Sequence, residues 1–446
     1  MPQYQAYLVF VIFGAVILAI AFNLLDMTLA ALLGLSVMAL LGIIHNTEVM
    51  RAVTVAQGAL ALLFGGMVVA RVLAPTGIFE HIGTRFLLLT RGSGRRFLLY
   101  TTILTSLVCA ILPNATAVIL IAPIVIRVCR ELKVDFVGPM ILVAMLSNAA
   151  GLLTLVGDPA TFLVGQAAGL GFMEYLRKVS LGGVLAILVV VPLMPVLLGE
   201  VWRVRRELPE GLAPTPIERP GFCLFAVLSM LLMVGLFLVG EYLPTPIVPP
   251  SAAIIGATLA LLAVYTAKVE PLDNVFRDID WKTLIFIFAM MCYVEEVTRT
   301  GAMGGLSRGM HGAFGSDLLL AGFALLAGIG LASGFLANIP VVAAAVLLTK
   351  GYFVLTQLVP EEAMGFGFTE WPDHTLPVFV AMMFGGTLGG NATLIGSSAN
   401  LVAGGICAAQ GSPVSFVRFL RYGVPVTVCQ LLASAGYVWV LSKILT

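Results

Sequence analysis

A carboxylate set in otherwise apolar sequence is the first residue to explain. Asp158 stands in Thr154-Leu155-Val156-Gly157-Asp158-Pro159. A charge at membrane depth is costly unless it meets a cation, a proton or hydrogen-bond donors. Asp158 could therefore load and release a coupling proton or hold a cation. It also suits a helix start, because Asp followed by Pro at the first helical position caps and pre-orders a turn. The positive end of that helix would then stabilise the anion. Two asparagines join it. Asn114 lies in Leu112-Pro113-Asn114-Ala115-Thr116, and Asn338 in Leu336-Ala337-Asn338-Ile339-Pro340. An amide offers both donors and an acceptor, which suits an uncharged polyhydroxy solute or a cation cage. Each could equally cap a helix arm. A fourth stretch, Asn391-Ala392-Thr393-Leu394-Ile395-Gly396-Ser397-Ser398-Ala399-Asn400, is dense in small polar residues. Thr393, Ser397, Ser398 and Asn400 could hold an ion with freed carbonyls, or let helices pack closely. Asn148 and Thr154 are their weaker counterparts, and Thr116 accompanies Asn114. These positions are the candidate solute or ion site, with Asp158 as the proton-coupling group.

The elements that must position these residues follow from composition. The 446-residue chain is 60% hydrophobic and 11% charged, against about 25% charged in soluble domains. That describes an all-α polytopic membrane protein. Apolar segments of spanning length fall near 5–25, 27–44, 55–74, 137–170, 180–199, 221–240, 250–267, 281–298, 376–410 and 423–442. Segments 137–170 and 376–410 exceed one crossing and carry Gly, Asp, Ser or Pro in the middle, so each is expected to be a discontinuous helix with a polar hinge. Segments 97–131 and 316–356 break at Pro113-Asn114 and Asn338-Ile339-Pro340, and each is expected to be a re-entrant helical hairpin.

The two sets repeat. Thr76-Gly77 precedes Asn114 by the spacing with which Thr300-Gly301 precedes Asn338, and the offset between the asparagines is 338 − 114 = 224. Beyond the hairpins the second half gains residues around Pro360 to Asp373. Asp158 then aligns with Ser397 (397 − 158 = 239) and Thr154 with Thr393. The chain divides into a first repeat over 1–200, a cytoplasmic linker over 201–220 rich in Arg and Pro (Pro209 and Pro214 among them), and a second repeat over 221–446. Each repeat has five net crossings, a hairpin and a broken helix. An odd number of crossings turns the second repeat upside down relative to the first, which is the parity of an inverted repeat. Loops 75–96, 127–136, 200–220, 268–282 and 411–421 carry most of the Lys and Arg, which makes that side cytoplasmic and puts both termini outside.

Other chemistry is not indicated. The formal net charge of +1 and the lack of a basic run give no sign of nucleic-acid binding. The cysteines are scattered, with no pattern for a metal or a disulfide framework, and the histidines sit in loops or at span ends. No Walker loop, dinucleotide fingerprint or nucleophile elbow is present, so neither an enzyme nor a resident cofactor is expected. Glu295 and Glu296, aligned with Arg71, suit an interhelical ion pair near one membrane face.

The stretch 389–400, the tips at Asn114-Ala115-Thr116-Ala117 and Asn338-Ile339-Pro340, and the hinge Gly157-Asp158-Pro159 resemble the ion transporter superfamily. They are most similar to its branch of ArsB arsenite permeases, the pink-eyed dilution protein and the NhaD antiporters. The resemblance covers essentially the whole chain and departs at one point. The branch commonly reads Gly-Asp-Pro-Pro-Asn at the first hinge, where this chain has Ala160-Thr161, which puts an ion site there in doubt. The resemblance implies an elevator-type carrier, with hairpins and broken helices sliding against a scaffold of the first two and last spans of each half. It implies a homodimer through that scaffold in the plasma (inner) membrane. The leading expectation is proton-coupled efflux of arsenite or antimonite, with a cytoplasmic ATPase as partner if the chain works as an arsenical pump. Sodium–proton exchange of the NhaD kind and sodium-coupled carboxylate transport are the alternatives, so the coupling ion is H+ or Na+ and the solute a small inorganic species or ion.

Overall fold

The computed structural model describes residues 3–21, 24–206, 216–300, 304–336, 338–364 and 368–445. The expectations at Gly301, Pro209 and Pro214 lie outside these. Among the described residues there is no strand, only an isolated antiparallel bridge between Ser93 and Arg205. Among the described residues, six helices are long and apolar enough to cross a bilayer.

The chain opens with α1 (Gln3–Ala21), α2 (Met27–Leu40) and α3 (Asn46–Leu73). A helix α4 (Ile78–Thr90) leads into the pair α5 (Gly94–Cys109) and α6 (Asn114–Leu132). The broken helix follows as α7 (Val137–Ala150) and α8 (Pro159–Ala167). After α9 (Phe172–Lys178) come α10 (Ser180–Leu188), α11 (Met194–Leu197) and α12 (Gly199–Arg203). The order then recurs. It runs through α13 (Pro220–Val239), α14 (Pro249–Ala267), α15 (Leu272–Arg277) and α16 (Trp281–Thr300). Next are α17 (Gly304–Phe314) and the pair α18 (Leu318–Phe335) and α19 (Asn338–Leu355). The second broken helix is α20 (Leu376–Gly389) and α21 (Ser398–Ala409), and α22 (Phe416–Leu445) closes the chain.

The packing recurs in the same way. α3 packs on α14 as α16 packs on α2, α5 on α7 as α18 on α20, and α21 on α6 as α8 on α19. Two expectations change. The stretch 75–96, read as a loop, forms α4, because Phe86 packs edge-on against Phe97 and Tyr100 and gives that segment an apolar face to bury. The last span of each half does not join the first spans. α10 packs on α7 and α22, and α22 packs on α18 and α20. The buried Gln430 of α22 ties this side together, accepting from Asn391 and donating to the Ala186 carbonyl of α10. The helices therefore sort into α1–α3 with α13, α14 and α16 on one side, and the hairpins, broken helices, α10 and α22 on the other. α16 meets α19 and α3 meets α8 across the boundary.

The expected interhelical ion pair forms at Glu295, and Arg71 has partners of its own. Arg71 reaches Glu270 at 2.9 Å and Asp278 at 2.8 Å. Glu295 pairs with Arg51 at 3.7 Å, and Glu296 with Arg299 within α16 at 2.7 Å. Arg71 and Glu295 occupy aligned positions, and each is paired with residues far away in the chain. Asp26 caps α2 and meets Lys282 at 2.9 Å, and that ammonium holds the Asp26 carboxyl below its ordinary range.

Candidate functional site

Four helix N-termini converge on one cavity of about 490 Å³. They are the starts of α6 at Asn114, α8 at Pro159, α19 at Asn338 and α21 at Ser398. Each break arises locally. Pro113 and Pro159 have no N–H to give to a preceding turn. The two hinges fold tightly on themselves. A β-carbon on Gly157 would come within 2.8 Å of the Gly151 carbonyl, and one on Gly396 within 2.5 Å of the Gly390 carbonyl. Only glycine fits at such an approach, and the two pairs are related by the same 239-residue offset (390 − 151; 396 − 157).

The hinges are pinned to the hairpins by corresponding bonds. Thr154 donates to the Ala110 carbonyl at 2.6 Å, and Thr393 donates to the Gly334 carbonyl. Asp158 and Ser397 then cap the following half-helices. Asp158 Oδ2 accepts from the N–H of Ala160 (3.1 Å) and Thr161 (3.2 Å), and Ser397 Oγ from that of Ala399 (3.2 Å). Each cap also touches the opposite half. Thr387 Oγ1 donates to Asp158 Oδ2 at 3.5 Å, and Ser397 Oγ donates to Asn148 Oδ1 at 2.8 Å. Thr387 is the counterpart of Asn148 (387 − 148 = 239). A further crossed pair joins Thr161 to Thr387 at 3.5 Å and Asn148 to Asn400 at 3.4 Å.

The carboxylate is heavily solvated by protein. Besides those bonds, Asp158 accepts from Asn114 Nδ2 at 3.2 Å, and Asn338 stands on the same cavity wall. Asp158 is 4% exposed and lines the cavity. Asn114 Nδ2 also reaches Asn148 Oδ1 at 3.3 Å, while Asn114 Oδ1 is buried with no hydrogen-bond partner. The cavity wall further holds Arg71, Asp278 and Asp280, so three carboxylates face one guanidinium. A net-negative wall of this kind favours neutral or cationic solutes over polyanions.

Of the residues singled out by sequence, Asn114, Thr116, Asp158, Asn338, Ser397 and Ser398 line the cavity. Asn148, Thr154, Thr393 and Asn400 are not among its lining residues. They fix hinges and network instead, Asn400 through its amide to the carbonyls of Gly390 and Thr393, both at 2.8 Å. Cys109 is fully buried at the end of α5 and does not line the cavity. Sequence reasoning missed Thr387 as a ligand of the Asp158 carboxylate and Gln430 behind Asn391. Applying the offset to Asn148 would have found Thr387. Gln430 has no counterpart to reveal it, and an amide in an apolar span was its one signal. Among the described residues, no cluster of three His, Cys, Asp or Glu side chains comes together.

The chain is similar to known transporters along its length. The sequence profile of a family described as citrate transporter matches residues 9–369. An uncharacterized transporter of Synechocystis sp. is 41% identical over 96% of this chain and 95% of its own. An uncharacterized transporter of Mycobacterium tuberculosis is 28% identical over 96% of both chains. The human P protein is 25% identical over 96% of this chain and 59% of its own length. Among solved structures, the YdaH transporter of Alcanivorax borkumensis aligns with a TM-score of 0.61 at 14% identity, covering 90% of this chain and 88% of that one. That likeness carries the fold alone.

Proposed function

Because this chain belongs to the citrate transporter family of the ion transporter superfamily, we propose that it is a secondary active transporter in which Asp158 loads and releases the coupling ion. One observation carries the reading. A buried carboxylate faces the cavity while two backbone N–H groups, the Asn114 amide and a threonine hydroxyl hold it in place. Such a group can be an anion without bulk water, and can take a proton or a cation without rebuilding the site.

The solute we propose is small and uncharged, with arsenite or antimonite as the leading case and efflux against proton entry as the direction. Arsenite at neutral pH is a triol, and the wall offers amides, hydroxyls and three carboxyl groups for its O–H groups. Hydrogen bonds rather than thiolates would hold it, since Cys109 is not at the wall. Sodium–proton exchange is the second reading, favoured by Asn114 Oδ1, an acceptor beside Asp158 suited to a cation. A carboxylate such as the citrate of the family description would fit by size. As a trianion it would meet Asp158, Asp278 and Asp280, and would have to enter protonated or with cations.

Transport would follow from sliding the hairpins, broken helices, α10 and α22 against the group formed by α1–α3, α13, α14 and α16, in two inverted repeats. Both termini would lie outside the plasma membrane, a homodimer would form through the latter group, and an ATPase partner would enter only for an arsenical pump. The test is arsenite tolerance in a bacterium lacking its own exporters, comparing empty vector, the chain and D158N. Rescue lost in D158N supports the reading. No rescue from a well-expressed chain overturns arsenite, and sodium and citrate fluxes in proteoliposomes then decide between the others.

A further inference from the structure

A second cavity lies away from the solute site, where one apolar span ends and another begins. Its volume is about 430 Å³, and it opens between α11 and the first turns of α22. Leu197 ends the apolar span Ser180–Leu197, and Phe416 starts the span Phe416–Leu445. The cavity therefore sits where hydrocarbon gives way to lipid headgroups. The neighbouring segments 200–220 and 411–421 belong to the face that carries most of the Lys and Arg.

The wall has two kinds of surface. Val196 (80% exposed), Val417 (62% exposed) and the half-buried Leu197 form the apolar part. The polar part is Ser415, Arg418, Arg421 and Tyr422, all from α22 and its cap, and no carboxylate lines the cavity. Arg418 is bonded to Asp135 in the turn between α6 and α7, which holds its guanidinium at the rim. Among the described residues, neither the Arg421 guanidinium nor the Tyr422 hydroxyl has a hydrogen-bond or ionic partner. Ser415 Oγ accepts the N–H of Arg418 at 3.2 Å and keeps its own O–H to give. Two guanidinium groups against the Asp135 carboxylate leave a single net positive charge beside three uncommitted donors. A monoanion rich in acceptor oxygens matches both the sign and the donors.

We propose that this cavity is a headgroup site for an acidic phospholipid, with the diester phosphate on Arg421, Tyr422 and Ser415. The acyl chains would run over Val196 and Val417 into the bilayer. A zwitterionic lipid would bring an ammonium group toward two guanidinium groups and is disfavoured. The inference needs only that the chain spans a membrane, and it is independent of the solute.

The test is equilibrium binding of radiolabelled dioleoylphosphatidylglycerol to the purified full-length protein in neutral detergent. Unlabelled phosphatidylglycerol should compete about tenfold better than dioleoylphosphatidylcholine. R421Q removes the unpaired charge and is expected to weaken binding about tenfold, and Y422F about threefold. Neither side chain has a partner to lose, so both variants should fold. R96Q removes an exposed charge elsewhere on the same face and should leave binding unchanged. Equal competition by the two lipids, or unaltered binding in R421Q, overturns the proposal. A loss in R96Q as large as in R421Q also overturns it, because general surface attraction would then account for binding. Excess inorganic phosphate separates a lipid site from a site for free anions. Retained lipid supports the headgroup site, and displacement by phosphate at the lipid's own concentration overturns it.

Discussion

The two hinges share one frame and carry different chemistry. Each closes on a glycine pair, each is pinned by a threonine to a hairpin carbonyl, and each ends in a cap that touches the other half. At the cap the first hinge has Asp158 and the second Ser397. Three residues beyond the cap, Thr161 stands where Asn400 stands in the second (400 − 161 = 239), and only Asn400 reaches back to its own hinge carbonyls. A duplicated scaffold has thus kept its hydrogen-bond geometry while charge is confined to one side. The difference teaches that frame and function are separable here. Residues common to both hinges hold shape, and residues that differ set the charge beside the cavity, where the proposed transport reading puts its coupling ion.

Exchanging roles at the caps should break the comparison most visibly. D158N is expected to cut gradient-driven flux by about a hundredfold or more, while S397A should change KM by only about three- to tenfold. Equal losses in a proteoliposome assay would mean that charge is not what distinguishes the hinges. Next comes the frame itself. G157A and G396A each drive a methyl group into a carbonyl, and both should collapse the yield of monodisperse protein in size-exclusion chromatography. A tolerant G157A beside an intolerant G396A would show the frames to be unequal. The pins sit lower in effect. T154V and T393V each leave a hairpin carbonyl short of a donor, costing about 1–2 kcal/mol and lowering Tm by a few degrees, by similar amounts in the two halves. The smallest effect sharpens the contrast. T161N gives the first hinge the amide that the second has, and is expected to raise Tm by about 1 °C if it reaches the carbonyls of Gly151 and Thr154.

Much of this frame is legible in the sequence, because backbone breaks in apolar sequence have few readings. Pro113-Asn114, Gly157-Asp158-Pro159 and the run 389–398 mark the helix ends they make. Asp158 as a cap follows from its neighbour Pro159 alone. Side-chain partners are less legible. Asn148, Thr154, Thr393 and Asn400 look like ligands because they are polar at membrane depth, yet backbone carbonyls of their own half absorb the last three and an amide of the other half absorbs Asn148. Which polar group meets solute and which meets protein depends on helix rotation, and a run as short as 391–400 does not encode it. The allegiance of α10 and α22 is hidden for a similar reason. Both are apolar spans that could pack on either group, and the Gln430 contacts that decide the matter join residues far apart in the chain.

The crossed caps also bear on how the protein is made. Asn148 receives its hydrogen bond from Ser397, 249 residues later in the chain. At roughly 5–20 residues per second of synthesis, the first half waits on the order of 10–50 s before that partner leaves the ribosome. During that interval Asn148 lacks Asn391, Ser397 and Asn400, and Asp158 lacks Thr387, while Asn114 already donates to both. Newly made chains must therefore hold these residues in water or against a helper until the second half arrives. Truncation between the halves should leave a fragment that the membrane's quality control recognises by the Asn148 amide, which has lost its partners in the second half.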